Sequence, residues 1–247
     1  MTAENFSLDK YFERIAFTGE PKADLSTLSS LMQAQLCSVP FENTEVQAGR
    51  IPSLEPREIV KKIMCDNRGG YCYELNGLFS MALEAIGFQH YFVAARPMTY
   101  AEKRPKTHMV VIVKLNNDKY LCDCGFGGYG LRVPIKLEKQ AKEECLGEEF
   151  FIELSNGEYL FSSKVLSSKS PQYAFADVPQ EWIEFSLANY FNATHPNTIF
   201  TQKKMAIIQT KDGRKLLIDE NLKTIKDGLV KEEAVSHEEA FKKHFMR

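Results

Sequence analysis

No stretch of this chain is apolar enough to cross a bilayer. The longest apolar runs, such as Met109 to Val113, fall far short of the roughly 20 residues that a membrane-spanning helix needs. The opening residues Met1 to Phe6 lead into Asp9, Lys10, Glu13 and Arg14 without the unbroken apolar run of a signal peptide. Charge of one sign is equally scarce, since Lys plus Arg total 31 against 33 for Asp plus Glu, which leaves no positive field to hold a phosphate backbone. Neither nucleic acid nor a membrane is therefore an expected partner, and the expected location is cytoplasmic. Internal repeats and low-complexity tracts are also missing. Hydrophobic residues at 44% and charged residues at 26% are ordinary globular values, which excludes a disordered or fibrous chain. At 247 residues the chain is long enough for one large domain or for two to three interlocked layers.

Cysteine is sparse but informative. Six are present, at positions 37, 65, 72, 122, 124 and 145. In a reducing cytosol most should be small core residues, with one available as a nucleophile.

The first third reads as helical. Leu25, Leu28, Met32 and Leu36 recur at three- and four-residue steps after Asp24, and Ile59, Val60, Ile63 and Met64 repeat the pattern after Pro56. A further helix is expected to start near Cys72, with Leu75, Leu78, Phe79, Leu83 and Ile86 as its stripe and Gly87 as its left-handed cap. Beyond Gly87 come short β-prone runs at 91–94, 108–113, 120–123, 150–154 and 159–161, which predict an antiparallel sheet or barrel. Asn116-Asn117-Asp118 and Asn156-Gly157 supply hairpin turns, and a loop-rich stretch is expected around Pro171 and Pro179. The last portion predicts a hairpin around Lys211-Asp212-Gly213 and a helix from Ser236. A capping box of Ser236 with Glu239 and a staple of Val235 with Ala240 are expected there.

Chemistry concentrates in Asn67-Arg68-Gly69-Gly70-Tyr71-Cys72-Tyr73-Glu74-Leu75-Asn76, where two glycines bring the chain tightly onto a helix start. Unpaired N–H groups of a first turn favour a thiolate at Cys72 and can also donate to an oxyanion. A thiolate wants an imidazole beside it, and of the five histidines His108 is best placed, at the opening of a strand. Asp123, closing the next strand, is the carboxylate expected to orient that ring. The expected catalytic set is Cys72, His108 and Asp123, with Glu42 and Arg68 a candidate supporting ion pair.

These residues resemble the arylamine N-acetyltransferases, whose nucleophile motif reads Arg-Gly-Gly-x-Cys-x-Glu with Asn two residues later, as Arg68 to Asn76 do here. Further similarity lies in Val39-Pro40-Phe41-Glu42-Asn43, in the strand bearing His108, in Asp123-x-Gly125-Phe126-Gly127 and in His195-Pro196 with Phe200. The resemblance implies an α+β fold with a cysteine-protease/transglutaminase-like core. It divides into a helical bundle over 1–87, a β-barrel over 88–185 and an α/β lid over 186–247. It also implies ping-pong transfer of acetyl from acetyl-CoA to arylamines, arylhydrazines or N-hydroxyarylamines. Phe126, Gly127, Gly128 and Phe200 are then expected to line the acceptor and CoA cleft, with no metal. Two departures stand out: cysteines at 122 and 124 flank the aspartate, and the chain is somewhat short for the family.

Rival readings are weighed on the same residues. A cysteine hydrolase or transglutaminase-like enzyme uses the same triad in the same chain order, and differs in whether water is kept from the thioester. A zinc site at Cys122-x-Cys124 has the wrong spacing, and Gly125 to Gly130 lacks the Lys and Ser/Thr of a Walker loop.

Overall fold

The computed structural model describes residues 1–246. The first segment forms α1 (Leu8–Ile15), α2 (Leu25–Ser38), a two-residue strand β1 (Phe41–Glu42), α3 (Thr44–Gln47), α4 (Pro56–Val60) and α5 (Cys72–Ile86). Asp24 starts α2 by accepting the Thr27 N–H at 2.8 Å, which satisfies one of the donors a helix start leaves open. Proline at the first turn of α4 costs no hydrogen bond, and the helix runs on through a π turn at Lys61–Cys65. Gly87 ends α5 at φ 97°, where a side chain would be strained.

Eight strands follow: β2 (Gln89–Pro97), β3 (His108–Leu115), β4 (Asp118–Cys122), β5 (Ile135–Lys136), β6 (Gln140–Cys145), β7 (Glu148–Ser155), β8 (Glu158–Lys164) and β9 (Ser170–Gln180). They pair antiparallel in the order β5-β4-β3-β2-β9-β8-β7-β6, and β5 lies against β6, so the sheet nearly closes into a barrel. Asn116 at φ 55° and Asn156 with Gly157 at φ 51° and 79° make the tight turns expected of them. The stretch around Pro171 and Pro179 is not loop-rich but is the longest strand, β9. Its prolines, which cannot donate to a ladder, sit beside register shifts, with Pro171 opposite Ser162 and Pro179 opposite Val93.

The remainder forms a 3₁₀ turn at Trp182–Glu184, α6 (Phe185–Thr194), α7 (Ile199–Gln202), β10 (Met205–Thr210), β11 (Gly213–Ile218), β12 (Asn221–Lys226), β13 (Leu229–Ala234) and α8 (His237–His244). Its sheet runs β1-β10-β11-β12-β13, so its first strand comes from the helical segment, with Phe41 opposite Ile207. Ser236 caps α8 by backbone position only, without the expected side-chain bond, while Val235 and Ala240 do share a small apolar cluster. A single larger core runs through all three regions, from Tyr11 and Leu28 through Met109 and Phe161 to Ile207 and Ile225.

That core keeps several ionisable groups neutral. Burial raises the phenols of Tyr11, Tyr71, Tyr73 and Tyr173 and the thiols of Cys122 and Cys124 well above their ordinary values. The unfolded chain therefore releases these protons first, and stability present at neutral pH is lost as pH rises past about 8.5 to 10. Thermal melts should be level from about pH 7 to 8.5 and drop by about 10 °C or more by about pH 10.5. A level profile throughout would mean that these groups ionise without unfolding.

Candidate active site

Cys72 occupies the first residue of α5 and is buried. The preceding Gly69 passes so close to the Pro40 carbonyl that an added Cβ would lie 2.1 Å from it, which explains why only glycine fits there. Gly70 pairs with β1, the Glu42 N–H donating to its carbonyl at 2.8 Å. Glu74 reaches back to accept the Tyr71 N–H at 3.0 Å and is itself held by Lys62 at 2.6 Å. Arg68 meets Glu42 at 3.3 Å and Glu45 at 2.9 Å, so the expected pair is part of a network that braces the nucleophile's loop.

His108 opens β3 and Asp123 follows β4 directly; His108 Nε2 stands 2.8 Å from Asp123 Oδ2. The other carboxylate oxygen accepts from Asn76 Nδ2 at 3.0 Å and from the Gly125 N–H at 2.8 Å. Asn76, one turn along α5 from Cys72, also accepts the Cys124 N–H and donates to the Met109 carbonyl, which locks the helix to both barrel strands. A carboxylate only accepts, so His108 carries its proton on Nε2 and leaves Nδ1 free. Gly125 must be glycine because a Cβ there would lie 2.7 Å from Cys72 Cα.

The sequence reading expected helix-start N–H groups to favour a thiolate; they do act on Cys72, but burial and a neighbouring charge oppose them. Burial, then the Asp123 charge, push the Cys72 thiol up, and the N–H groups of Tyr73 and Met109 offset only part of this. A thiolate at this position needs a cation beside it. Tyr173, on β9, was not anticipated. Its ring lies 5.1 Å from that of His108 and 5.0 Å from that of Phe126, and its fully buried hydroxyl faces Asp123 without a well-formed hydrogen bond. Nothing in its local sequence separates it from a core aromatic, because its partners come from strands about 50 and 65 residues away.

Cys72 and His108 face a cleft with about 840 Å³ of atom-free space, lined also by Phe41, Phe126, Gly128 and Phe200. Gly127 lies outside that lining, at φ 71° against Phe41 and Ile207. Asn43 ties the cleft's far wall to the helical segment, donating to the Phe200 and Lys203 carbonyls at 2.8 and 2.7 Å and accepting the Met205 N–H at 2.8 Å. The Val39 to Asn43 motif is thus the join between nucleophile and C-terminal sheet.

The chain is similar to known proteins over most of its length. A family profile described as N-acetyltransferase matches residues 24–247. The arylamine N-acetyltransferase of Mycolicibacterium smegmatis is 31% identical over 90% of this chain and 83% of its own length. A solved structure of the M. smegmatis arylamine N-acetyltransferase superposes with a TM-score of 0.92 at 28% identity, covering 98% of this chain and 93% of that one. The Mycobacterium marinum arylamine N-acetyltransferase in complex with CoA gives a TM-score of 0.91 at 25% identity, covering 97% and 92%.

Proposed function

Because this chain belongs to the arylamine N-acetyltransferase family, we propose that it carries acetyl from acetyl-CoA to aromatic amines, hydrazines or N-hydroxyarylamines through a thioester on Cys72. It is an enzyme of that kind, with the α+β, cysteine-protease-like fold of its solved relatives. The observation that carries the mechanism is the His108–Asp123 pair at 2.8 Å opening onto the same cleft as Cys72.

In this reading the Cys72 proton passes to His108 Nδ1, and Asp123 holds the resulting imidazolium. Burial makes an isolated thiolate costly at this place, so the thiolate forms only with the imidazolium beside it. The thiolate attacks the acetyl carbonyl of acetyl-CoA, first-turn N–H groups receive the oxyanion, and CoA leaves with the proton from His108. An acceptor nitrogen or hydroxyl then attacks the thioester and gives its proton back to His108, which restores the pair. Residues 1–87 supply the nucleophile, 88–185 the imidazole and carboxylate, and 186–247 the wall that keeps water from the thioester. Phe126, Gly128 and Phe200 take the acceptor and pantetheine, and Gly127 acts only by shaping that loop. No step calls on a metal.

Intact mass measurement after incubation with acetyl-CoA and no amine tests this. A single acetyl adduct is expected on the wild type and none on Cys72→Ala, with discharge on adding an arylamine. Loss of the adduct in buffer as fast as with amine would make the protein a hydrolase instead. No adduct on folded wild type would overturn the acetyl-CoA reading.

A further inference from the structure

Asn192 lies on α6, is 3% exposed, and lines the cleft alongside Cys72 and His108. Its Nδ2 donates to the Thr107 carbonyl at 2.8 Å, and the Tyr73 hydroxyl donates to that same carbonyl at 2.8 Å. Thr107 precedes His108 and Tyr73 follows Cys72, so this shared carbonyl ties Asn192 to both reacting residues. A carbonyl can only accept, which fixes the amide's NH₂ end toward Thr107 and turns Oδ1 away from it.

Among the described residues no donor meets that Oδ1, nor is it one of the side-chain atoms sealed from solvent without a partner. The oxygen therefore opens to the cleft. Gln172 repeats the arrangement: it is 3% exposed, lines the same cleft, and commits Nε2 to the carbonyl and hydroxyl of Ser170 at 3.1 and 2.9 Å. Asn192 thus presents an amide oxygen to the cleft, and Gln172 commits its amide nitrogen to Ser170 rather than to the cleft. An open amide oxygen at this place favours a ligand that brings an N–H group to it.

We infer that Asn192 Oδ1 accepts a hydrogen bond from the acceptor substrate during discharge of the acetyl group, and so favours hydrazines over simple arylamines. The inference rests on the acetyl-transfer reading above. In the discharge step the terminal nitrogen of a hydrazine attacks the thioester carbon. A C–N bond forms, the C–S bond breaks, and one proton moves from that nitrogen to His108 while the sulfur leaves as thiolate. The internal N–H of the hydrazine is not consumed and stands one bond from the reacting nitrogen, free to donate to Asn192. An arylamine has no second nitrogen there.

The test compares wild type with Asn192→Leu, which keeps the volume and removes both polar ends. Acetyl-enzyme is formed first, and its single-turnover discharge is timed with phenylhydrazine and with aniline. The phenylhydrazine-to-aniline rate ratio should fall about tenfold in the variant, the effect of leaving one substrate N–H unpaired. Acetylation by acetyl-CoA is timed in parallel, and because the ratio compares two acceptors on one acetyl-enzyme, a loss common to every step leaves it unchanged. A ratio within about threefold of wild type would overturn the inference. So would an equal loss in acetylation and in both discharge reactions, which would make Asn192 a brace for Thr107 and His108. Should Asn192→Leu not fold, Asn192→Ala gives the same ratio. Absence of any acetyl adduct on wild type would instead refute the parent reading.

Discussion

His108→Gln should lower the rate of Cys72 acetylation by about 10⁴ to 10⁶-fold at pH 7, the scale on which a triad loses function when one of its members is removed. Glutamine preserves much of the ring's volume and can still donate to Asp123, so the fold around Asn76 and Gly125 has no reason to change. What is lost is a place for the proton. With burial and the Asp123 charge both raising the thiol, a Cys72 without imidazole stays protonated through neutral pH. Iodoacetamide alkylation reads this directly. In wild type the rate should level off below the ordinary thiol value of about 8.5, because the imidazole takes the proton. In His108→Gln it should keep rising about tenfold per pH unit past that value, since the thiolate then appears only as hydroxide removes the proton. A variant that is alkylated and acetylated at wild-type rates at pH 7 would mean that another group takes the proton.

The sequence revealed those parts of the site whose signals are local. Cys72 follows a glycine pair and precedes a helical stripe, so its place at the first residue of α5 could be read from a dozen neighbouring positions. His108 and Asp123 each stand at the edge of a β-prone run, and the short turn at Asn116 brings the two strands together. The order of helices, then strands, then a mixed unit was legible for the same reason, as a change of texture beyond Gly87 and again from Met205 onward.

Hidden features depend on partners far away in the chain. Proline at 171 and 179 argues against a strand from composition alone, and only the register shifts opposite Ser162 and Val93 show how β9 accommodates them. Asn43 looks like a helix cap, yet its amide is spent on residues about 160 positions away. Asn192 looks like one more polar residue on a helix; its role comes from a carbonyl 85 positions earlier. The balance of forces on the Cys72 thiol was hidden for a related reason. Helix-start N–H groups are visible in sequence, but the burial that outweighs them is created by the barrel and the C-terminal segment.

Glu148→Gln should be strongly destabilising, more so than Arg214→Met at its partner. Glu148 lies between two buried guanidiniums, with Arg132 Nε at 2.7 Å and Arg214 Nε at 3.0 Å, and all three side chains are almost wholly buried. The cluster carries one carboxylate for two cations, and burial together with the Arg132 charge already disfavours the charged form of Arg214. Neutralising Glu148 leaves two positive groups facing one another with no anion, a case for which losses of about 3 to 5 kcal/mol are typical. Removing Arg214 instead leaves a balanced Arg132–Glu148 pair. Its cost is then the bonds that Arg214 makes to the Gly128 carbonyl at 2.6 Å and to the Gly130 carbonyl at 3.4 Å, on the order of 1 to 3 kcal/mol. Those carbonyls belong to the loop that walls the cleft, so Arg214→Met should also raise KM for acetyl-CoA while the enzyme remains folded. Urea titrations of the two variants decide the order. If Arg214→Met proved the less stable protein, hydrogen bonding to the loop rather than charge balance would be the main contribution of this cluster.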